Sequence, residues 1–531
     1  MNVKNLLLTL AAMGCMQNAS AKADLPTSFD ISSILLKDAN LSLGLTFPGE
    51  MAQHGVVIDV NNDGIQDFIV TGLYTDGDAQ KAFFRVYEGV KNGTPKLVYD
   101  NLEFPIGGNG SIDAFKDADG NTIVGVNGGA LGNWTNPFKM NIYKLTSGTE
   151  YSLEEVANYQ GTGRGTLLFL DINNDGWQDI YQNGWVAAND WSLTPGIFVN
   201  DQTNSWWDEE TYDEGTEPIR MNANTRVTRA DVNKDGKMDL MMPIQGTGLY
   251  VYLNNGDGTF EEKLITPFSK EDRADGSDFR SEDDATQAEF IDFNNDGYPD
   301  IVLLGTNDAT GGDWEFRMEL YKNNDDGTFS LQEQKTLAGA ATTLLGGQRA
   351  DIAVADFNQD GNQDLIIGCE NQTNDGWKCV TMWMPGNGQG GFDQYNVTYN
   401  ADTNPNGIVA MSRRANFGQY LVGDFNGDGT PDLVSIGNDY YAKNGDLRFY
   451  ANQSTPVGNG INSTEKTSVI VEAVEGGVAV SGAEGQSVIV VTPAGQQVAT
   501  VAKASSNLRM NLAKGMYLVK AGNTAVKVIV K

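Results

Sequence analysis

Six short segments of the chain carry acidic and amide side chains at one spacing, D-x-N-x-D-G-x-x-D. The six copies begin at Asp59, Asp171, Asp231, Asp292, Asp356 and Asp424. Oxygen ligands at alternate positions, followed by a glycine that permits a sharp turn, wrap a loop around a hard cation, and Ca²⁺ accepts about six to eight such oxygens. Mg²⁺ demands a stricter octahedron and is the poorer candidate. The pattern therefore predicts calcium loops in which the metal holds like charges together.

The surroundings of these loops distinguish them from EF-hands, which need a glutamate at position 12 and flanking helices. Position 12 is instead occupied by Val70, Gln182, Met242, Leu303, Ile367 and Ser435. The flanking segments, such as GVVIDV before the first loop and DFIVTG after it, have β-type composition. Metal-free Asx turns are the alternative for a single copy. Six copies that share the distal aspartate favour strand–loop–strand calcium units.

The spacing of the loops predicts the architecture. The starts at 171, 231, 292, 356 and 424 lie 60 to 68 residues apart, but the interval from 59 to 171 is 112. Half of that interval points to AFKDADGN, which keeps Asp117, Asp119 and Gly120 but has Phe115 and Ile123 at the outer positions. Repeats of this length with about four short strands each are typical of β-propellers. We predict an all-β chain with seven repeats, a seven-bladed β-propeller with one degenerate loop.

The final repeat is short of one strand. After the loop at Asp424, the segments DLVSIG and LRFYANQ supply two strands, and a linker then begins. Residues 28–47 contain the β-type segments SFDISSILL and LSLGLTF, which no other repeat needs. Because an open propeller would leave an unpaired strand edge, we predict that part of residues 28–47 adds the outer strand to the seventh blade.

The loops, their period and the turns YLNNGDGTF at 252–260 and YKNNDDGTF at 321–329 resemble FG-GAP or VCBS repeats. Such repeats form the blades of the integrin alpha-subunit propeller and of many bacterial surface proteins, and the resemblance spans roughly residues 26–455. In that family the loop joins the first two strands of a blade and binds Ca²⁺. The resemblance implies up to six calcium sites with these ligands: Asp59, Asn61, Asp63, Asp67, Asp171, Asn173, Asp175, Asp179, Asp231, Asn233, Asp235, Asp239, Asp292, Asn294, Asp296, Asp300, Asp356, Asn358, Asp360, Asp364, Asp424, Asn426, Asp428 and Asp432.

From about Thr467 the calcium pattern ends and alternating β-type segments follow. The stretches GQQV, LAKGMYLVK and VKVIVK resemble the C-terminal sorting domain of type IX secretion substrates in Bacteroidetes, although the Tyr-Pro-Asn-Pro start of many such domains is missing. An ordinary small β-sandwich is the alternative. We predict a propeller over residues 22–455, a linker over 456–466, and a C-terminal β-sandwich over 467–531 that engages the type IX secretion machinery.

The first 21 residues have the features of a signal peptide: Lys4, the apolar stretch LLLTLAAMG and small residues ending at Ala21. Lipid modification of Cys15 is the alternative. No other stretch approaches the length of a transmembrane helix, so we expect an exported monomer at the outer-membrane surface or outside the cell. There, Cys369 and Cys379 form a disulfide or remain as two free thiols.

Composition and the remaining side chains bear on function. The chain has 36 basic and 70 acidic residues, a net charge of -34, which argues against nucleic acid as a partner. The single histidine, His54, lies on a predicted strand, so Ser-His-Asp and Cys-His catalysis have little support. We expect no catalytic residues and no organic cofactor.

Aromatic side chains are predicted to gather on the face opposite the calcium loops, in the connections between second and third strands. They are Tyr74, Trp134, Trp185, Trp191, Trp314, Trp377, Tyr440 and Tyr441. Rings beside Asn and Asp stack on sugars, and packing between blades is the alternative. The hypothesis is a binding or adhesion module for a glycan or a surface protein. A calcium-stabilised polysaccharide lyase or glycosidase is the alternative.

Overall fold

The computed structural model describes residues 35–41, 53–129, 138–210, 219–220, 226–273, 279–280, 287–337, 345–400, 419–454 and 470–530, the longer segments with internal gaps of one to four residues. These residues form β-strands and turns and contain no α-helix, so the described part of the chain is all-β, as predicted. The chain divides into two compact units, Met1–Pro456 and Val457–Lys531.

The described residues of the first unit form seven antiparallel sheets of four or five strands, which we number by their order along the chain, and one separate hairpin. The strands of sheets 1 to 3 are Gln53–Val57, Phe68–Asp76, Ala79–Glu88 and Lys96–Phe104; Gly108–Lys116, Thr122–Gly129, Phe138–Thr146 and Ser152–Gln160; and Leu167–Leu170, Asp179–Gln182, Gly196–Asn200 and Trp207–Glu209. Those of sheets 4 and 5 are Thr228–Ala230, Asp239–Ile244, Gly248–Asn254 and Phe260–Pro267; and Gln287–Ile291, Asp300–Ala309, Asp313–Asn323 and Phe329–Thr336. Those of sheets 6 and 7 are Leu345–Ala355, Asp364–Thr373, Gly376–Met384 and Asn396–Asn400; and Gln419–Gly423, Asp432–Asp439, Asn444–Asn452 and Leu35–Asn40.

Two additions were not predicted from the sequence. A hairpin of strands Trp185–Ala187 and Asp190–Leu193 is inserted between the second and third strands of sheet 3. A short strand, Phe279–Arg280, pairs with the far end of the second strand of sheet 5. Both additions lie at the ends of the sheets away from the predicted calcium loops, so they enlarge the opposite face.

Burial follows the position of a strand within its sheet. The second strand of sheet 4, DLMMPI, is buried at all six positions, and that of sheet 1, FIVTGLYTD, at its first seven. The fourth strand of sheet 1, KLVYDNLEF, has one buried residue. Near-continuous apolar runs therefore form strands that are covered on both faces, whereas polar alternation marks the strand at the outer edge.

The core is divided among the contacts between neighbouring sheets. Seven apolar clusters join sheet 1 to 2, 2 to 3, and so on in order, and the last joins sheet 7 to sheet 1. In that last cluster, the ring of Phe425 packs edge-on against Phe68 with centroids 5.2 Å apart. Each sheet thus packs against the one before it and the one after it, and the seventh packs against the first.

The beginning of the chain completes sheet 7. Leu35–Asn40 pairs antiparallel with Asn444–Asn452, from Leu35 opposite Asn452 to Asn40 opposite Arg448. The N–H of Leu41 then donates to the carbonyl oxygen of Leu447 at 3.0 Å. The prediction that part of residues 28–47 supplies the outer strand of the last repeat is confirmed.

The second unit has its own core. A three-stranded sheet contains Ile470–Val474, Gly477–Ser481 and Asn507–Asn511, and a four-stranded sheet contains Gln497–Val501, Val488–Val491, Gly515–Ala521 and Thr524–Val530. Side chains from both sheets, among them Val480, Val490 and Val519, share one apolar cluster. Among the residues described in either unit, no helix is long and apolar enough to cross a membrane.

We predict that removing residues 1–41 lowers the free energy of unfolding by several kcal/mol. The third strand of sheet 7 then loses a row of hydrogen bonds that contribute roughly 0.5–1.5 kcal/mol each. Thermal unfolding followed by circular dichroism measures the loss. Leu41→Pro, compared with Leu41→Ala, isolates the single N–H donor of Leu41 and should cost about 1 kcal/mol. An unfolding midpoint that truncation leaves unchanged contradicts the closing role of this strand.

Candidate metal centres

The six predicted calcium loops share one backbone conformation. Each joins the first strand of its sheet to the second. The fourth loop residue has a φ of 56–64° and the sixth, always glycine, has a φ of 84–90° in all six copies. A Cβ built on Gly361 would meet nothing within 4 Å, so the requirement for glycine comes from its positive φ and not from lack of space.

The side chains at the first, third and fifth positions lie together in each loop. In the sixth sheet, the N–H of Asp360 donates both to Oδ1 of Asp356 and to Oδ1 of Asn358, at 2.9 Å each. Oδ1 of Asp360 in turn accepts the N–H of Asn362 at 2.8 Å. The other five loops repeat these bonds. A carboxylate oxygen and an amide oxygen thus converge on one N–H, with the second carboxylate beside them.

The ninth aspartate has a role that the sequence analysis missed. It is fully buried in every loop, and its two oxygens accept backbone N–H groups, one from the second loop residue and one from the end of the third strand. The pairs are Asp67 with Val60 (2.8 Å) and Gly89 (2.7 Å), Asp179 with Ile172 (2.9 Å) and Asn200 (2.8 Å), Asp239 with Val232 (2.9 Å) and Asn254 (2.8 Å), Asp300 with Phe293 (3.2 Å) and Asn323 (2.8 Å), Asp364 with Phe357 (3.0 Å) and Gly386 (2.8 Å), and Asp432 with Phe425 (3.0 Å) and Asn452 (2.8 Å).

This carboxylate therefore ties the loop to the third strand of its own sheet. Its role as a calcium ligand stays a prediction. Burial raises the pKa of Asp364 to about 8, and the charges of Asp360 and Asp356 add to the increase. In the same way, the pKa rises to about 7 in Asp67, Asp300 and Asp432 and to about 6 in Asp179 and Asp239.

The donor set of these loops fits a hard cation at positions one, three and five. Two carboxylates and one amide side chain lie together there, and the ninth carboxyl, whose pKa is raised mainly by burial, lies behind them. In the loops of sheets 4 and 5, Lys237 and Lys322 contact the carboxylates of Asp235 and Asp296. Among the residues that the structure describes, no three Asp, Glu, His or Cys side chains form a ready-made ligand group. The fit thus rests on two carboxylates and an amide in each loop, not on four convergent side chains.

The degenerate second repeat is built differently. Phe115 and Ile123, which replace the outer aspartates, are packed in the core, with the Phe115 ring 4.8 Å from that of Phe169. The Asn121 amide donates to Oδ2 of Asp117 at 2.8 Å. Lys116 places its ammonium against the carbonyl oxygens of Val60 (3.1 Å) and Gly120 (3.3 Å). The Lys116 ammonium and the Asn121 amide thus lie within this loop, and the amide occupies Asp117.

The predicted aromatic face is described in part. Tyr74 is 5% exposed within the second strand of sheet 1, and its hydroxyl donates to Leu102 O at 2.8 Å. Its assignment to a ligand face is corrected: the ring packs between sheets 1 and 7. Trp185 is half-buried at the start of the inserted hairpin. Three of the other rings lie on strands, but the structure does not describe their side chains: Trp191, Trp314 and Trp377. The remaining three fall outside the described residues: Trp134, Tyr440 and Tyr441.

The two cysteines lie on paired strands of sheet 6 but are not cross-strand partners. Cys369 is opposite Val380, and Cys379 is opposite Glu370. The predicted disulfide stays a prediction. Cys15 and the predicted signal peptide fall outside the described residues.

A second group of charged residues lies on and beside the first strands. Arg226 next to sheet 4 pairs with Asp351 of sheet 6 at 3.1 Å, and Arg229 pairs with Asp113 of sheet 2. Because each pair joins sheets that are not neighbours, the ion pairs cross the middle of the cycle. Burial lowers the pKa of His54 to about 3, with a contribution from the charge of Arg226, so its imidazole is neutral at physiological pH. A sequence signal exists for part of this group but not for Arg229 and Asp113, since the residue five before each loop is polar in six repeats: His54, Thr166, Arg226, Gln287, Asp351 and Gln419.

Comparison with known proteins gives partial matches. The FG-GAP-like repeat family matches residues 231–303 and 292–367, which extend from the loop of sheet 4 into sheet 6. A domain of unknown function, DUF6383, matches residues 456–530. No curated protein sequence matches the chain.

Three solved structures overlay on the chain at low similarity. PorZ, a surface component of the type IX secretion system of Porphyromonas gingivalis, is 11% identical with a TM-score of 0.29, over 88% of this chain and 69% of that one. The α-L-arabinofuranosidase Arb93A of Fusarium graminearum is 9% identical with a TM-score of 0.36, over 78% and 97%. Sqt1 of Saccharomyces cerevisiae is 7% identical with a TM-score of 0.34, over 78% and 98%. At these scores the overlays carry no inference about activity.

Asp179→Asn and Asp175→Asn form a matched pair that separates the two roles of loop aspartates. Asp179→Asn replaces one carboxylate oxygen by an amide NH₂, which then faces a buried N–H donor. We therefore expect the unfolding free energy at pH 8 to fall by about 1–3 kcal/mol, both with calcium and in excess EDTA. Asp175→Asn should reduce the stabilisation by calcium and leave the protein in EDTA nearly unchanged. Chemical denaturation under both conditions measures this. Equal losses for the two variants in EDTA contradict the assignment.

Proposed function

We propose that residues 22–455 form a calcium-stabilised seven-bladed β-propeller that acts as a binding or adhesion module at the bacterial cell surface, with a glycan or a surface protein as its ligand. The observation that carries the calcium proposal is the recurrence, in six loops, of one backbone conformation, one convergence of side-chain oxygens and one buried aspartate. The propeller proposal is supported by seven sheets of four or five strands, each packed on the next and the last on the first.

The chemistry of the loops favours Ca²⁺ over other ions. Their side chains offer oxygen donors, as hard cations prefer, and loops with flexible coordination suit Ca²⁺ better than the strict octahedron of Mg²⁺. The side chains at positions one, three and five, such as Asp356, Asn358 and Asp360, would hold the ion. Outside cells such sites bind with dissociation constants on the order of 0.1–1 mM. Calcium at 100 times that constant adds about 2.7 kcal/mol of stability per independent site.

Ligand recognition is assigned to the face opposite the calcium loops. The second strand of each sheet runs away from its loop, so the connections to the third strand lie on that face. The hairpin Trp185–Ala187 and Asp190–Leu193 enlarges it at sheet 3 and carries Trp185 and Trp191. Tryptophan beside Asn189 and Asp190 offers an apolar ring for a sugar face and polar groups for its hydroxyls.

The C-terminal unit is proposed to be the sorting domain that engages the type IX secretion machinery. Its support is the sequence resemblance of the final strands, LAKGMYLVK and VKVIVK, together with a core of its own that lets the unit be recognised apart from the rest. Export through an N-terminal signal peptide and a location at the outer-membrane surface or outside the cell are parts of the same proposal.

We predict that the full chain binds immobilised glycans on an array without releasing new reducing ends or unsaturated products. Trp185→Ala and Trp191→Ala should each weaken that binding about two- to tenfold, since stacking contributes on the order of 0.5–1.5 kcal/mol. Trp206→Ala is the matched control, because Trp206 is exposed in the turn between the third and fourth strands, on the calcium-loop side. Unsaturated oligosaccharides in the supernatant would instead identify a lyase.

Deleting residues 457–531 should leave the first unit folded but retain it in the periplasm. The unfolding midpoint of the first unit and the cell fraction that contains it are the two measurements. Normal surface display of the truncated protein refutes the sorting assignment, and loss of the folded first unit shows that the tail has a structural role instead.

A further inference from the structure

Buried side-chain amides join consecutive calcium loops. Asn323 ends the third strand of sheet 5 and is fully buried. Its backbone N–H is held by Asp300 of its own loop at 2.8 Å. Its Nδ2 donates to Val232 O in the loop of sheet 4 at 2.8 Å and to Pro299 O at 2.9 Å. One residue thus connects the ninth position of one loop with the second position of the loop before it.

The same connection recurs where the third strand ends in asparagine. Asn254 of sheet 4 donates through Nδ2 to Asp171 O in the loop of sheet 3 at 3.1 Å. Asn452 of sheet 7 donates to Phe357 O in the loop of sheet 6 at 2.9 Å. Both also have their backbone N–H held by the ninth aspartate of their own loop.

Sheets 1 and 6 have a glycine at this place, and a glutamine at the eighth loop position makes the link instead. Oε1 of Gln363 accepts the N–H of Asp292 in the loop of sheet 5 at 2.8 Å. Oε1 of Gln66 accepts the N–H of Asp424 in the loop of sheet 7 at 2.7 Å. The donor and acceptor roles are exchanged. The bond again ends on the backbone of one of the first two residues of the preceding loop.

Together the five links form a continuous series through the loops of sheets 3, 4, 5, 6, 7 and 1. In the middle of it, Val232 donates its N–H to Asp239 and accepts Asn323 at its carbonyl oxygen, so the backbone of one loop residue lies between two links. Among the described residues, no equivalent amide bond joins the loop of sheet 3 to the second repeat. The second repeat does contact the loop of sheet 1, through Lys116 and Val60 O, but it lacks the outer aspartates. The series of calcium loops therefore has two ends, at the loops of sheets 1 and 3.

We propose that Asn254, Asn323, Asn452, Gln66 and Gln363 are positioning residues that couple the six loops, so that a cation bound in one loop raises the affinity of the next. The proposal rests on the calcium binding proposed above. A cation that orders a loop fixes the backbone of its first two residues and its ninth aspartate. Those are the groups to which the links attach, and a buried hydrogen-bonded network transmits such order better than exposed side chains do.

The test is calcium binding to the full chain, measured by equilibrium dialysis. We expect about six ions per chain and a Hill coefficient above 1, on the order of 2 for sites coupled to this degree. Gln363→Ala should keep the number of bound ions but lower the Hill coefficient, because it weakens the series between the loops of sheets 5 and 6, where the bond from Asn295 Nδ2 to Asn362 Oδ1 at 2.7 Å remains. Gln66→Ala, which acts at the end of the series and leaves the bond from the Val90 N–H to Phe425 O at 3.0 Å in place, should lower it less.

Gln178→Ala is the matched control. Gln178 occupies the same eighth position in the loop of sheet 3, which the series does not link to the repeat before it, so the Hill coefficient should remain that of the unchanged chain. Circular dichroism in calcium verifies that each variant is folded. Six ions bound with a Hill coefficient of 1 in the unchanged chain overturn the coupling but not the calcium sites, as do equal effects of Gln178→Ala and Gln363→Ala. Absence of any bound calcium overturns both proposals.

Discussion

The buried carboxylate at the ninth loop position is the interaction on which the first unit depends. In six repeats it receives one N–H from the loop and one from the end of the third strand, so it fixes the loop to its sheet from inside. A buried carboxylate is costly unless it is hydrogen-bonded, and the two N–H groups meet that need in every copy. Burial still raises the pKa of the group, most of all in Asp364, where it reaches about 8.

The cyclic arrangement of the sheets follows from where their apolar residues lie. Second strands such as DLMMPI are buried along their whole length, so each sheet requires a neighbour on both faces. A row of such sheets meets that requirement when the last one packs on the first, as Phe425 does on Phe68. The strand Leu35–Asn40 then protects the remaining edge of sheet 7, and the Arg226–Asp351 and Arg229–Asp113 pairs join sheets across the middle.

Much of this architecture was predictable because it depends on local patterns. The six loop motifs and their spacing located the repeats, and the shortage of one strand after Asp424 located the closing strand at the other end of the chain. The links made by Asn323 and Gln363 were not predictable, because they depend on how one repeat is set against the next. Tyr74 was misassigned for a related reason: the second strand of sheet 1 continues to Asp76, which carries the ring into the core. A strand that is buried on both faces lacks the alternation of apolar and polar residues, so the sequence did not show that Tyr74 would be buried.

Thermal unfolding of the full chain in calcium and in excess EDTA tests the central claim most directly, with magnesium as the control ion. If cations hold the six loops together, chelation lowers the unfolding midpoint on the order of 10 °C, calcium restores it, and magnesium at the same concentration restores much less. Unfolding curves that coincide in calcium and in EDTA would contradict the account, because the loops would then be held by their backbone hydrogen bonds alone.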